Sequence, residues 1–277
     1  MTHQPQGKRE RNRAKRSPRA LRGLVIRSSV AFWATLLFTL SALSTLTAHA
    51  VADDSWSRAL AKRDLPAIER LVAAGADVNR ANGDGMTALM VAAAERNQGL
   101  LRLLLERGAR VNAANDRGGT PLMYSATAGD LNAVAFLLSR GAAIDARATN
   151  GWTALTLAAA RGFDEVANLL LRRGADPNVT DIYGWTPLMR AVQHDRQAVV
   201  RVLLGSNRVK LDVQNESGHT ALHQAALEGF TDIAGMLVAR GANTGLLDHS
   251  GRTSAALALA TGHRTTARII DKAAAKN

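Results

Sequence analysis

The sequence predicts an all-α protein, a solenoid of short helix–turn–helix units joined by extended turns and preceded by a signal-peptide helix. Three observations predict it: glycines recur every 33 or 34 residues, a threonine follows each by two positions, and a basic segment precedes an apolar one at the start of the chain. The apolar content of 47% suffices for a core, whereas the absence of cysteine excludes a disulfide framework.

The first fifty residues have the order of a secretory signal peptide. Residues 1–27 hold nine basic residues and one acid, residues 28–47 are uncharged and apolar, and residues 48–50 form the small-x-small cleavage site Ala-His-Ala. We therefore expect cleavage after Ala50 and export of the remainder to the periplasm. An uncleaved anchor facing the periplasm stays open, because the uncharged stretch is long enough to span a bilayer.

Two glycine series share the period. The first comprises Gly85, Gly118, Gly151, Gly184, Gly218 and Gly251. The second comprises Gly75, Gly108, Gly141, Gly174 and Gly241. The threonine after each first-series glycine suits a helix N-cap, and a second-series glycine suits the left-handed end of a second helix. Because helices of about ten residues are marginal alone, each unit must pack on its neighbours.

Four strings carry a family resemblance: Gly-Gly-Thr-Pro-Leu at 118–122, Gly-Trp-Thr-Pro-Leu at 184–188, Gly-His-Thr-Ala-Leu-His at 218–223 and Gly-Ala-Asp-Val-Asn at 75–79. In these residues the chain resembles the ankyrin repeat family, and the resemblance covers roughly residues 53–277. It implies stacked helix–turn–helix units joined by β-turn fingers. It also implies that finger tips and the concave face of the first helices bind partners.

The period divides the chain into seven units. They are an N-terminal cap at 53–81, five internal repeats at 82–114, 115–147, 148–180, 181–214 and 215–247, and a C-terminal cap at 248–277. The fourth internal repeat is one residue longer, between Leu204 and Asp212. We expect an altered end of its second helix and a displaced finger after it.

The sequence contains no convincing catalytic or metal-binding pattern. His219 and His223 lie four residues apart, but no third ligand accompanies them, and the resemblance implies a structural hydrogen-bonding role for His223. Beyond residue 27 the net charge is only +4, too little for a nucleic-acid footprint. We predict no enzymatic activity, no cofactor, no metal, no small-molecule substrate and no nucleic acid.

Candidate binding residues stand at two repeating positions. One is the position between the finger glycine and the threonine, with Tyr183 close to it, and the other is the end of the first helix. We predict a protein-binding set of Trp152, Trp185, Tyr183, His219, Arg161, His194, Glu95 and Glu228. Trp, Tyr and Arg dominate interface energetics. The alternative for each tryptophan is that it covers the apolar seam of its own repeat.

Two first helices carry unusual residues at a position that is usually leucine. We expect Tyr124 to belong to the core rather than to a contact surface. Arg190 needs a polar partner if it is buried, because burying an unpaired charge is costly.

The predicted function is a non-catalytic, exported protein–protein interaction module. We expect a monomer that binds an unidentified protein partner through the concave face and the finger tips. The alternative is a membrane-tethered adaptor with residues 28–50 as an uncleaved anchor. A cytosolic role would require the leader to be inert.

Overall fold

The computed structural model describes residues 55–275, and within them the backbone forms seven consecutive helix pairs without a strand. The helices are α1 (55–62), α2 (Leu65–Ala73), α3 (Ala88–Ala94), α4 (Gln98–Glu106), α5 (Pro121–Ala128), α6 (Leu131–Ser139), α7 (Ala154–Arg161), α8 (Asp164–Arg172), α9 (Pro187–Gln193), α10 (Gln197–Leu204), α11 (Ala221–Glu228), α12 (Thr231–Ala239), α13 (Ser254–Ala260) and α14 (Arg264–Ala274). The predicted all-α fold is confirmed. The predicted signal peptide, residues 1–50, lies outside the described residues.

The helices begin and end where the repeat pattern predicts. From α3 onward, a threonine caps each first helix; in α9, for example, the Thr186 hydroxyl accepts from the Met189 N–H at 3.2 Å. Three first helices end at glycines in the left-handed conformation, namely Gly129, Gly162 and Gly229. Three other units place non-glycine residues with positive φ at the same point, namely Arg63, Arg96 and Asp195.

Each unit is held by its neighbours. First helices pack on first helices of the next unit, as α7 does on α9, and second helices pack likewise, as α8 does on α10. Alanines such as Ala158 and Ala191, both wholly buried, let first-helix backbones approach closely, while leucines fill the space between the two helix layers. In the N-terminal cap, buried Trp56 donates its indole N–H to the Arg80 carbonyl at 2.9 Å.

The extra residue of the fourth internal repeat is absorbed at the end of its second helix. Helix α10 ends at Leu204, with Gly205 as its C-cap in a right-handed conformation (φ −69°), and no left-handed glycine follows it as Gly174 follows α8. The next finger keeps its place, because the Glu216 N–H donates to the Tyr183 carbonyl at 3.1 Å as in the other repeats. The predicted change at the helix end is therefore present, and the predicted displacement of the finger is wrong.

Among residues 55–275, no helix combines the length and the hydrophobicity needed to cross a bilayer.

Candidate protein-binding surface

The fingers form a rigid row beside the first helices. Each finger closes on itself, as where the Asp181 N–H donates to the Trp185 carbonyl at 3.0 Å. From the second finger onward, each is also bonded to the preceding finger: the Ile182 N–H donates to the Asn150 carbonyl at 3.1 Å. Side chains on neighbouring fingers are thus presented in fixed relative positions.

Asp181 organises the finger of the fourth internal repeat. Its carboxylate is completely buried, with 0% of the side chain exposed. Oδ1 accepts from the backbone N–H groups of Tyr183 and Trp185, both at 2.9 Å. Oδ2 accepts from the Trp152 indole at 3.2 Å and from the guanidinium of Arg190, whose Nε lies 3.1 Å away. One carboxylate therefore joins two fingers and a helix.

Arg190 lies between the two predicted tryptophans. Its Cζ is 4.5 Å from the centroid of Trp185 and 5.1 Å from that of Trp152, within cation–π range. Its Nη1 also donates to Gln193 Oε1 at 2.9 Å. Asp181 is thus the polar partner that we expected for Arg190 if its side chain was buried. The structure thus brings Trp152 and Trp185 into one cluster, held by a buried ion pair.

A cleft of about 350 Å³ opens between the second and third internal repeats. Its lining includes Trp152, Leu157, Met123, Tyr124 and Arg117. Half-buried Tyr124 packs against the core, as predicted, yet its hydroxyl accepts from the Asn115 amide at 2.8 Å and its ring also faces the cleft. The guanidinium of Arg117 makes no polar contact with the part of the chain that the structure describes, so this lining residue is free to meet a ligand.

The finger of the fourth internal repeat ends in two exposed apolar side chains. Ile182 is 54% exposed and Tyr183 is 55% exposed. At the same two positions the preceding finger carries Thr149 and Asn150. Tyr183 was predicted as a binding residue, whereas Ile182 was missed; an isoleucine at a position occupied elsewhere by polar residues was the available signal.

The ends of the first helices carry the other predicted binding residues, all exposed. Glu95 is paired with Arg63 at 2.7 Å, and Glu228 accepts from the Gln224 amide at 3.1 Å. Arg161 and His194 end neighbouring helices. Partial burial of its ring lowers the pKa of His194, and the charges of Arg196, Arg190 and Arg161 lower it further. Arg196, which the sequence analysis missed, thus belongs to the same cationic group.

His219 belongs to a different cluster from the two tryptophans. Its ring stacks on His223 with centroids 5.8 Å apart, and its Nε2 lies 3.5 Å from Asp248 Oδ2. His223 is buried and bonds to Thr220 through Nδ1 and to the Arg252 carbonyl through Nε2. Burial lowers the pKa of His223, which favours its neutral, structural form. Residues 55–275 contain no group of three potential ligands placed to hold a metal.

Comparisons with known proteins agree with this architecture. The family model described as ankyrin repeats in three copies matches residues 57–148, 140–215 and 200–277. A search of curated proteins gives no match.

Three solved structures illustrate the similarity. A chain from the complex of the predatory endopeptidase Bd0816 of Bdellovibrio bacteriovorus with immunity protein Bd3460 is 29% identical, with a TM-score of 0.61 and coverage of 68% of this chain and 98% of that chain. The ankyrin repeat protein EF0377 is 28% identical, with a TM-score of 0.63 and coverage of 67% and 96%. The ankyrin repeat domain of Bcl-3, a unique member of the IkappaB family, is 29% identical, with a TM-score of 0.67 and coverage of 78% and 97%.

Proposed function

This chain belongs to the ankyrin repeat family, and on that premise we propose that it is a non-catalytic scaffold, exported from the cytoplasm, that binds a folded protein partner. The contact surface is the finger tips of the third and fourth internal repeats with the adjoining first helices. The solved complex of an endopeptidase with an immunity protein contains a chain of similar fold and supports a protein as the partner class.

The exposed tip of the fourth finger carries the proposal. Ile182 and Tyr183 leave apolar surface in water, although most finger tips in the array are polar. Their backbone is fixed by the finger row and by Asp181, so a partner would meet a preformed anchor and little ordering entropy would be lost on binding. Tyrosine beside an aliphatic side chain is a typical interface anchor. The cleft beside Trp152 offers a second apolar contact on the same side.

Removing the tip tests this function directly. We would make the double variant Ile182→Ser with Tyr183→Ser and measure capture of binding partners from a cell-envelope extract. The matched control is Leu259→Ser, because Leu259 is a 56% exposed apolar residue on α13, remote from the finger tips. We expect the tip variant to lose its partner and the control to keep it, with equal helical circular dichroism. Equal capture by both variants would refute the proposed surface.

The export step has its own test, the intact mass of the protein recovered from the cell envelope. A mass beginning at Val51 supports the cleaved, periplasmic form. A mass that includes residues 28–50 in the membrane fraction supports the tethered adaptor. Recovery of the uncleaved chain from the cytosol contradicts both forms.

A further inference from the structure

We propose, building on the protein-binding function above, that Arg161, His194 and Arg196 form a receptor for an acidic segment of the partner protein. We call these three residues the cationic patch. All three side chains are exposed, and they stand where α7 and α9 end and α10 begins. The proposal adds a charge requirement to a surface otherwise defined by apolar contacts.

The patch is assembled from two neighbouring repeats. Arg196 reaches across to the end of α7, where its Nε donates to the Ala160 carbonyl at 3.2 Å. Its Cδ lies 2.9 Å from the point where a Cβ on Gly162 would stand, so the glycine makes room for the arginine. The Arg196 side chain is thereby held next to Arg161, while His194 ends the adjacent first helix.

Among the described residues, no carboxylate forms an ion pair with the cationic patch. Within residues 55–275, none of the three forms an ion pair, and the nearby Arg190 is already paired with Asp181. Asp195, between two patch residues in sequence, accepts from the Gln197 amide at 3.4 Å. The pKa of His194 supports the same conclusion. It is lowered first by partial burial and then by the charges of three arginines, and no carboxylate raises it. Even with the negative charge of Asp195 counted, the two arginines leave the patch with a net positive charge facing solvent.

The pattern of first-helix ends favours a short acidic segment over a long polyanion. Successive units place Glu95, Ala128, Arg161, His194 and Glu228 at this position. With neighbouring helices about 10 Å apart, the positive region is only about two units wide. Nucleic acid that follows the row of first helices would meet Glu95 on one side of the patch and Glu228 on the other. A protein segment with two or three carboxylates is short enough to bind between these two glutamates.

The patch adjoins the apolar cleft. Leu157, which lines the cleft, and Arg161 stand four residues apart and therefore share one face of α7. Arg190 and His194 have the same spacing one unit further along. The complementary partner segment carries an apolar side chain for the cleft and carboxylates about 6–10 Å away for the patch, because four residues of α7 rise about 6 Å and the next first helix lies about 10 Å further along.

Binding of carboxylates is coupled to protonation of His194. An acidic ligand favours the charged imidazole, so the pKa of His194 rises on binding and affinity increases as pH falls through that range. The charges that act on this histidine are those of Arg196, Arg190 and Arg161. Asp195 is its neighbour in the chain, and Glu228 ends α11, the first helix that packs on α9 from the next unit.

A pair of synthetic peptides tests the inference. The probe is a fluorescein-labelled peptide with one phenylalanine, two glycines and four glutamates, and its partner has four glutamines instead. Fluorescence anisotropy with the full chain should show at least about tenfold tighter binding of the glutamate peptide, a difference of about 1.4 kcal/mol. The charge-reversal variant Arg161→Glu with Arg196→Glu should weaken that binding at least about tenfold.

The matched control is Arg172→Glu with Arg173→Glu, which makes the same change in net charge at the exposed end of α8. It should leave the affinity within about twofold. Equal binding of the two peptides, no binding up to about 1 mM, or equal weakening in the control and patch variants would overturn the inference.

Two further probes separate the partner classes. Oligothymidine and phosphatidylglycerol vesicles are measured under the same conditions, and tighter binding of either, lost in the patch variant, would overturn the choice of a protein segment. Envelope capture distinguishes this inference from the proposed function. If the tip variant loses its partner while the patch variant retains it, the scaffold function stands and the acidic segment is refuted.

Discussion

Replacing Arg190 with leucine removes the cation that faces a completely buried carboxylate. In the wild type, Asp181 accepts five hydrogen bonds, two of them from Arg190. The leucine variant retains the donors from Tyr183, Trp185 and Trp152 but leaves the negative charge without a counter-ion. It also removes both cation–π contacts that the guanidinium makes with the tryptophans.

The expected loss follows from these contacts. Breaking a buried ion pair by removing one partner costs about 3–5 kcal/mol, and each cation–π contact contributes about 0.5–1 kcal/mol. The three donors that remain on Asp181 reduce the penalty, and the Arg190 side chain is 13% exposed, so its charge is not fully desolvated in the wild type. We therefore expect the free energy of unfolding to fall by about 3 kcal/mol.

The second internal repeat suggests a compensating change. There, Asn115 holds the finger through Oδ1 and donates through Nδ2 to the hydroxyl of Tyr124, which occupies the position of Arg190. The double variant Asp181→Asn with Arg190→Tyr imports this neutral arrangement. It should cost only about 1–2 kcal/mol, because it removes the uncompensated charge and leaves mainly the Trp152 indole without its acceptor.

The assay is equilibrium urea unfolding followed by circular dichroism at 222 nm. Arg201→Leu on α10 is the control, since Arg201 is exposed and its change should stay within about 0.5 kcal/mol. A loss below about 1 kcal/mol for Arg190→Leu would refute the account. So would a double variant that is no more stable than Arg190→Leu alone.

Three further predictions follow from titration and backbone geometry. The pKa of His194, lowered by burial and then by arginine charges, should rise in Arg196→Gln, as an NMR titration would detect; an unchanged value contradicts the cationic patch. Hydrogen bonds lower the pKa of Asp248 from 3.8 to about 2, and the bond from the Arg252 backbone N–H has the largest effect. Its stabilisation is therefore complete above pH 3.8 and declines as the pH falls toward 2, and Asp248→Asn should remove that part of the pH dependence from thermal unfolding. In urea unfolding, Gly129→Ala should destabilise the protein by about 1–3 kcal/mol more than Gly108→Ala. Both glycines have positive φ, but only at Gly129 would the new Cβ meet another atom, a ring carbon of Phe163 at 2.6 Å. Equal losses would show that backbone strain alone decides.

The fold was predictable because its signals are local. A threonine N-cap and a left-handed glycine each act within one helical turn, and their spacing repeats along the chain, so unit boundaries are visible without any tertiary contact. Gly205 marks the limit of that reasoning. An extra residue predicted a displaced finger, but the finger-to-finger hydrogen bond from Glu216 to Tyr183 is kept, and the extra residue is absorbed at the helix end.

The surface was only partly predictable, because its groups come from different units. The sequence indicated that Arg190 needs a partner, but nothing local to that helix identifies Asp181, which lies nine residues earlier in the finger. His219 shares a repeat position with Trp152 and Trp185, yet it packs with His223 and Asp248 in another cluster. Equivalent positions thus share a backbone location and not a chemical role.

The first residue of each finger explains how the surface varies while the fold stays the same. In the other four internal repeats and in the C-terminal cap an Asn or Asp side chain accepts the finger N–H groups, whereas the third internal repeat has Ala148 at that position. Trp152 of that repeat instead donates its indole N–H forward to Asp181. The position of a cleft-lining ring thus depends on a carboxylate in the next repeat. A change at Asp181 should therefore alter partner affinity through Trp152, even though the carboxylate itself is buried and cannot touch the partner.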